Sequence, residues 1–188
     1  MIVTKKNPKT ATYRSLPKDR ARARVIPVTQ RVVEREFNPK VTDRYDSLFV
    51  YYSNKSDLLH LWVWFKAQAY QESLMNPEAV SRSGAKGLTQ FMPKTWAWWW
   101  KDVLKEDSYA NDWKNPEKSI KAQVTYMKYL LNKFDNNLEL ALAAYNWGET
   151  RVKEYGEDWK THAPKETKDY VIRINKHYER FINELMER

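Results

Sequence analysis

Glu72 is the residue from which chemistry can first be argued. It stands at the end of a dense apolar run, LLHLWVWFKAQAYQES, residues 58–73. A carboxylic acid serves as a proton donor near neutral pH only where apolar surroundings raise its pKa. Breaking a glycosidic bond needs such a donor at the leaving oxygen, and many enzymes pair it with a second carboxylate as base or nucleophile. The nearest candidates for that second group, Glu78 and Asp102, sit in no recognisable catalytic frame. A one-carboxylate mechanism is therefore open, as is the plainer reading of Glu72 as an exposed helix-end residue.

Other chemistries find less support. The chain has no cysteine, which excludes disulfides and thiolate-ligated metals. Its three histidines, His60, His162 and His177, are scattered and form no metal-ligand spacing. Counting alone does not exclude a Ser-His-Asp arrangement, but no G-x-S-x-G elbow is present.

The elements that must position Glu72 are helical. Asp57 is placed to cap a helix whose apolar residues run nearly all round, which marks a buried, central element. The turn Asn76-Pro77 follows, then Gly84 and Gly87, half of the four glycines, where backbone can take unusual angles or approach closely. Pro93 opens a helix carrying Trp96, Trp98, Trp99 and Trp100, too many rings for one buried face. Asn115-Pro116 starts a third helix with Ile120, Val124, Met127, Leu131 and Phe134 inward. Leu138 to Asn146 forms a fourth, ended by Gly148, whose alanines suit tight packing on the central helix. A short basic helix over residues 150–155 follows. Pro164 begins the last, with Tyr170, Val171, Ile174, Tyr178, Phe181, Ile182 and Leu185 on one face. One weak strand candidate lies at Leu48 to Tyr52.

Charge divides the 188 residues unevenly. Of the net +9, residues 1–36 carry +7, with ten Lys or Arg against Asp19, Glu34 and Glu36. Pro8, Pro17, Pro27 and Pro39 interrupt any period there. We read residues 1–40 as an extended or disordered basic arm, and 41–188 as the helical domain. The arm is either a solvated tail or an anchor for an acidic partner or surface. Specific nucleic-acid binding is not expected, since no accompanying fold is visible. No apolar stretch is long enough to span a bilayer, and no secretory signal is expected at the N-terminus.

The motif set is specific. Glu72-Ser73, Asn76-Pro77, Ala79, Ser81, Gly84-Ala85, Gly87-Leu88, Gln90, Met92-Pro93 and Thr95 resemble the first motif of the soluble lytic transglycosylase family. Asn115-Pro116 with Ile120, then ALAAYNWG (residues 141–148), then Pro164, Glu166-Thr167 and Tyr170-Val171 resemble its later motifs, in order. The resemblance covers about residues 57–178.

It implies an all-α, lysozyme-like fold of the goose-type lysozyme/transglycosylase kind. It also implies cleavage of peptidoglycan between N-acetylmuramic acid and N-acetylglucosamine, leaving a 1,6-anhydro end. By the same resemblance Glu72 is acid and then base. Ser81 supports the acid and the N-acetyl group, Gln90 and Met92 line the sugar cleft, and Tyr145, with its neighbour Asn146, holds the N-acetyl group. Glu166 contacts substrate across the groove. No metal or organic cofactor is implied. Plainer readings stand beside these: Met92 as core, Asn146 as a helix cap, and Glu166 as an acidic residue favoured by a helix N-terminus.

Three positions depart from the family pattern: Thr89 where Met is usual, Trp147 where a small residue is usual, and Ala122 where Gly is common. Trp147 is expected to narrow the cleft or offer a stacking platform. Without an export signal, a phage enzyme carried in the virion or released through a lysed membrane is the expected setting, the arm serving as a tether to virion proteins. A muramidase on the same fold and an inert virion component are the alternatives.

Overall fold

A helix that is apolar on every side has to be surrounded, and α2 (Trp62–Ser73) is: Trp62, Val63, Phe65, Ala67 and Ala69 are all buried. The computed structural model describes residues 43–187; the basic arm, residues 1–40, lies outside them. In chain order the α-helices are α1 (Asp46–Lys55), α2, α3 (Pro93–Trp98), α4 (Pro116–Lys133), α5 (Leu138–Trp147), α6 (Glu149–Tyr155), α7 (Trp159–His162) and α8 (Lys165–Met186). The architecture is all-α; only isolated bridges, Val80 with Lys86 and Lys86 with Phe91, pair extended backbone among the described residues.

The expected strand at Leu48 to Tyr52 is instead part of α1. Its aromatic and β-branched residues suit a strand, but Phe49, Tyr52 and Ser53 are buried at helical spacing. Asp57 caps nothing: it takes a left-handed φ of 59°. A 3-10 turn, Leu59–Leu61, intervenes, and α2 begins at Trp62 without a side-chain cap.

The last helix covers the central one. Along the α2–α8 seam, Trp64 stacks on Tyr178 with ring centroids 3.8 Å apart. Lys66 is fully buried there, its Nζ 2.8 Å from both Asp43 and Asp46 and above the Phe181 ring. The α4 stripe of Ile120, Val124, Met127 and Leu131 is buried as its periodicity requires. Asn115 accepts from the backbone N–H groups of Glu117 and Lys118, an N-cap worth about 1 kcal/mol. The alanines of α5 are buried, but that helix packs chiefly against α4, α6 and α8 rather than against α2.

Of the tryptophans following Pro93, Trp96, Trp99 and Trp100 are buried with Phe91 and Ala122 in a second, smaller core, while Trp98 stays 39% exposed. A π-helical segment, Trp99–Leu104, continues α3.

Candidate active site

Glu72 lies in the last turn of α2, where the helix is closed abruptly. Leu74 and Met75 both adopt left-handed backbone angles, φ 53° and 64°, a costly conformation for residues with a Cβ. Ser73 ties this end to the glycine loop by donating to Leu88 C=O at 2.8 Å. The carboxyl of Glu72 is part-buried, and desolvation raises its pKa to about 8 against the opposing effect of one hydrogen bond. That bond comes from Tyr170 on α8, whose hydroxyl donates to Glu72 Oε1 at 2.6 Å. Tyr145 on α5 is the other phenol near enough to feel the carboxylate's charge; burial and that charge push its own ionisation well upward. Tyr70, by contrast, packs edge-on against His177 and Phe181.

Among the described residues no second carboxylate joins the site. Glu78 is exposed and pairs with Lys114 at 3.3 Å, and Asp102 lies exposed in the π-helical segment.

The loop from residue 76 to 92 holds its own shape. Ser81 Oγ accepts from Ala85 N–H at 3.0 Å and sits 3.0 Å from Ser83 Oγ; among the described residues no hydrogen bond joins it to Glu72. Gln90, with φ 51°, turns its side-chain amide inward, donating to Gly87 C=O at 2.8 Å and Ala79 C=O at 3.1 Å. Gly87 permits a close approach of backbone rather than of ligand: a Cβ there would lie 2.3 Å from the carbonyl oxygen of Trp113. Thr89 is fully buried. Its hydroxyl donates to Ser119 C=O, and its own carbonyl accepts from Tyr145 Oη at 2.7 Å. Thr89, one of the positions that depart from the family pattern, thus joins the loop to α5 through its backbone carbonyl.

Met92 is 44% exposed and is no core residue; it is the N-cap position of α3. Asn146 does not cap its helix. Its Oδ1 accepts from Thr167 Oγ1 at 2.8 Å, linking α5 to α8. Glu166 stands exposed in the first turn of α8. Trp147 stacks on Tyr155, which stacks on His162, so one of its faces is taken by the protein.

Tyr170 is the member that sequence reading placed in the core and not in the site. Its presence in the last motif was the available signal. Gln68, which donates to Tyr170 from the interior, and Gln123, which donates to Gln68 behind it, gave none. A pocket of about 440 Å³ beside the loop is lined by Lys86, Phe91, Trp96, Trp100, Tyr109 and Trp113, among others; Glu72 does not line it.

Residues 54–168 match the family model described as the transglycosylase SLT domain. The chain is similar to the soluble lytic murein transglycosylase of Salmonella typhimurium, with 34% identity over 59% of this chain and 17% of that protein. Among solved structures it resembles an inactive mutant of the lytic transglycosylase Slt from Pseudomonas aeruginosa, at TM-score 0.66 and 25% identity over 75% of this chain and 25% of the other. It likewise resembles the 70 kDa soluble lytic transglycosylase of Escherichia coli, at TM-score 0.64 and 28% identity, covering 74% of this chain and 25% of that one.

Proposed function

The chain belongs to the transglycosylase SLT domain family, and on that premise we propose that it is a peptidoglycan lytic transglycosylase with Glu72 as its acid and base. The single observation that supports this most is Glu72 itself, a part-buried carboxyl with its pKa raised to about 8 by desolvation. At neutral pH such a group is mostly protonated and ready to donate. The absence of a partner carboxylate among the described residues fits a scheme in which one residue acts twice. The Pseudomonas relative, described as inactivated by a Glu→Gln change, supports the same reading.

In this scheme Glu72 gives its proton to the glycosidic oxygen as the C–O bond breaks. The substrate's N-acetyl oxygen supports the positive anomeric carbon as an oxazolinium-like intermediate. Glu72, now a carboxylate, takes the proton from the muramyl 6-hydroxyl, whose oxygen closes on the anomeric carbon. Glu72 ends protonated, no water is consumed, and no cofactor takes part.

The chain's own groups have matching parts to play. Tyr145 spends its hydrogen on Thr89 C=O, which leaves its oxygen to accept the N–H of the acetamido group. Ser81 Oγ, accepting from Ala85 N–H, has a hydrogen to donate when Ser83 Oγ donates to it. Met92 offers apolar surface, Gln90, with its amide nitrogen spent on the loop, leaves its amide oxygen as an acceptor for the sugar, and Asn146 holds the Tyr145 helix end. Glu166, exposed at the head of α8, meets the strand across the groove.

A finer reading sets the enzyme in a phage particle, with the arm as tether; it is supported by the +7 charge of residues 1–36. Detection of the chain in purified particles would bear this out, and its restriction to uninfected cells would oppose it. For the activity, mass spectrometry of released muropeptides decides. Products one water lighter than hydrolysis gives, ending in 1,6-anhydro-muramic acid, are expected; reducing muramic acid ends would mean a muramidase, and no release an inert domain.

A further inference from the structure

Two fully buried glutamines stand behind the candidate acid, one on α2 and one on α4. Gln123 Nε2 donates to the backbone carbonyl of Phe65 at 3.0 Å and to Gln68 Oε1 at 2.7 Å. Gln68 Nε2 in turn donates to Tyr170 Oη at 3.1 Å, and Tyr170 Oη to Glu72 Oε1 at 2.6 Å.

The polarity of this chain is fixed from one end. A backbone carbonyl can only accept, so the Gln123 atom facing Phe65 C=O has to be the nitrogen. The Gln68 atom facing that nitrogen has to be the oxygen, which turns the Gln68 nitrogen to Tyr170. The hydroxyl of Tyr170 has one hydrogen. With Gln68 donating to its oxygen, that hydrogen goes to Glu72 Oε1. A proton on Oε1 would then collide with it, so the acidic proton belongs on Oε2.

We propose that Gln68 and Gln123 are positioning residues, which orient the Tyr170 hydroxyl and thereby hold the transferable proton of Glu72 on Oε2. The inference rests on Glu72 being the acid. Stability alone does not account for the pair: among the described residues Gln123 Oε1 has no hydrogen-bond partner, and two apolar side chains of like shape would be nearly neutral replacements. The ionisable groups facing Glu72 are Tyr170 from α8 and Tyr145 from α5, both kept neutral by burial. A titration near neutrality therefore reports on Glu72.

The test compares the full chain with Gln123→Met and with Gln68→Met/Gln123→Met. Carboxyl carbon NMR follows the Glu72 titration, assigned by its loss in Glu72→Gln, and the pH dependence of kcat/KM is measured on peptidoglycan. Without Gln68, the Tyr170 hydroxyl is a weaker donor and is free to turn away. Both effects favour protonated Glu72. The double variant is expected to melt within a few degrees of the parent and to titrate higher by about half a unit or more. The alkaline limb should move with it, and kcat should fall about 3- to 10-fold with KM little changed. Gln123→Met, which frees the Gln68 amide to flip, should shift in the same direction by less. An unchanged Glu72 titration in both variants, or a double variant that does not fold, overturns the proposal. A parent that titrates as described but releases no anhydro product instead overturns the proposed activity.

Discussion

Tyr170 Oη donates to Glu72 Oε1 at 2.6 Å, joining the first and last helices of the motif set across 98 residues of sequence. The bond opposes the desolvation that raises Glu72, so it holds the acid within a usable range. Tyr170→Phe should raise the Glu72 pKa further and leave Gln68 Nε2 facing an apolar ring. We expect a loss of about 1–3 kcal/mol in stability and roughly tenfold in kcat. Urea denaturation and steady-state kinetics check the two numbers.

Ionisation of Glu72 should also be visible in stability. A carboxyl whose pKa is raised by folding favours the native state fully below its unfolded value, near 4.5, and loses that contribution as pH rises through about 8. Glu72→Gln cannot ionise, yet its amide oxygen can still accept from Tyr170. Melting curves should nearly coincide at pH 4.5 and separate above it, with the variant more stable at pH 9. Allowing for the partial exposure of Glu72, the gap is on the order of 2 kcal/mol. In the parent, activity should decline through the same range, because the acid must carry its proton.

Gly84 and Gly87 share a left-handed backbone, φ 86° and 81°, but not a neighbourhood. An added Cβ at Gly84 meets nothing within 4 Å, whereas at Gly87 it would overlap the Trp113 carbonyl. Gly84→Ala should cost about 1–2 kcal/mol, the strain of that conformation alone. Gly87→Ala should cost about 3 kcal/mol or more, or displace the 3-10 turn Asp112–Lys114. Chemical denaturation of the two variants side by side measures the difference.

Tyr145→Phe removes the hydroxyl that spans to Thr89 C=O at 2.7 Å. The loop then loses its tie to α5, and, in the binding role proposed for Tyr145, the substrate loses an acceptor. KM on glycan strands should rise about 3- to 10-fold, with the thermal midpoint lower by a few degrees. A variant with the parent's KM would remove Tyr145 from the binding role.

Periodicity made the long helices α4 and α8 readable, since stripes such as Ile120, Val124, Met127 and Leu131 permit one buried face; the four-residue α7 is too short to carry such a stripe and was not expected. It failed at α1, where Val50, Tyr51 and Tyr52 carry strand propensity and tertiary burial of Phe49 and Tyr52 decides otherwise. Glu72 was legible as a candidate because the apolar run that precedes it is local in sequence. Tyr170 read as a core residue within the last motif, because its bond to Glu72 is made by the packing of α8 on α2. The need for glycine at position 87 was visible, but its cause, a carbonyl at Trp113, lies far along the chain. The polar chain through Gln68 and Gln123 was hidden for the same reason: glutamine on an inward face carries no mark of its partner.

The most direct test of the account sets the parent beside Glu72→Gln on purified peptidoglycan, with released muropeptides measured by mass spectrometry over time. The parent should release 1,6-anhydro-muramic acid ends. Glu72→Gln, folded by its melting curve, should release them at least about 100-fold more slowly. Anhydro products from Glu72→Gln at the parent's rate would contradict the assignment of the chemistry to Glu72.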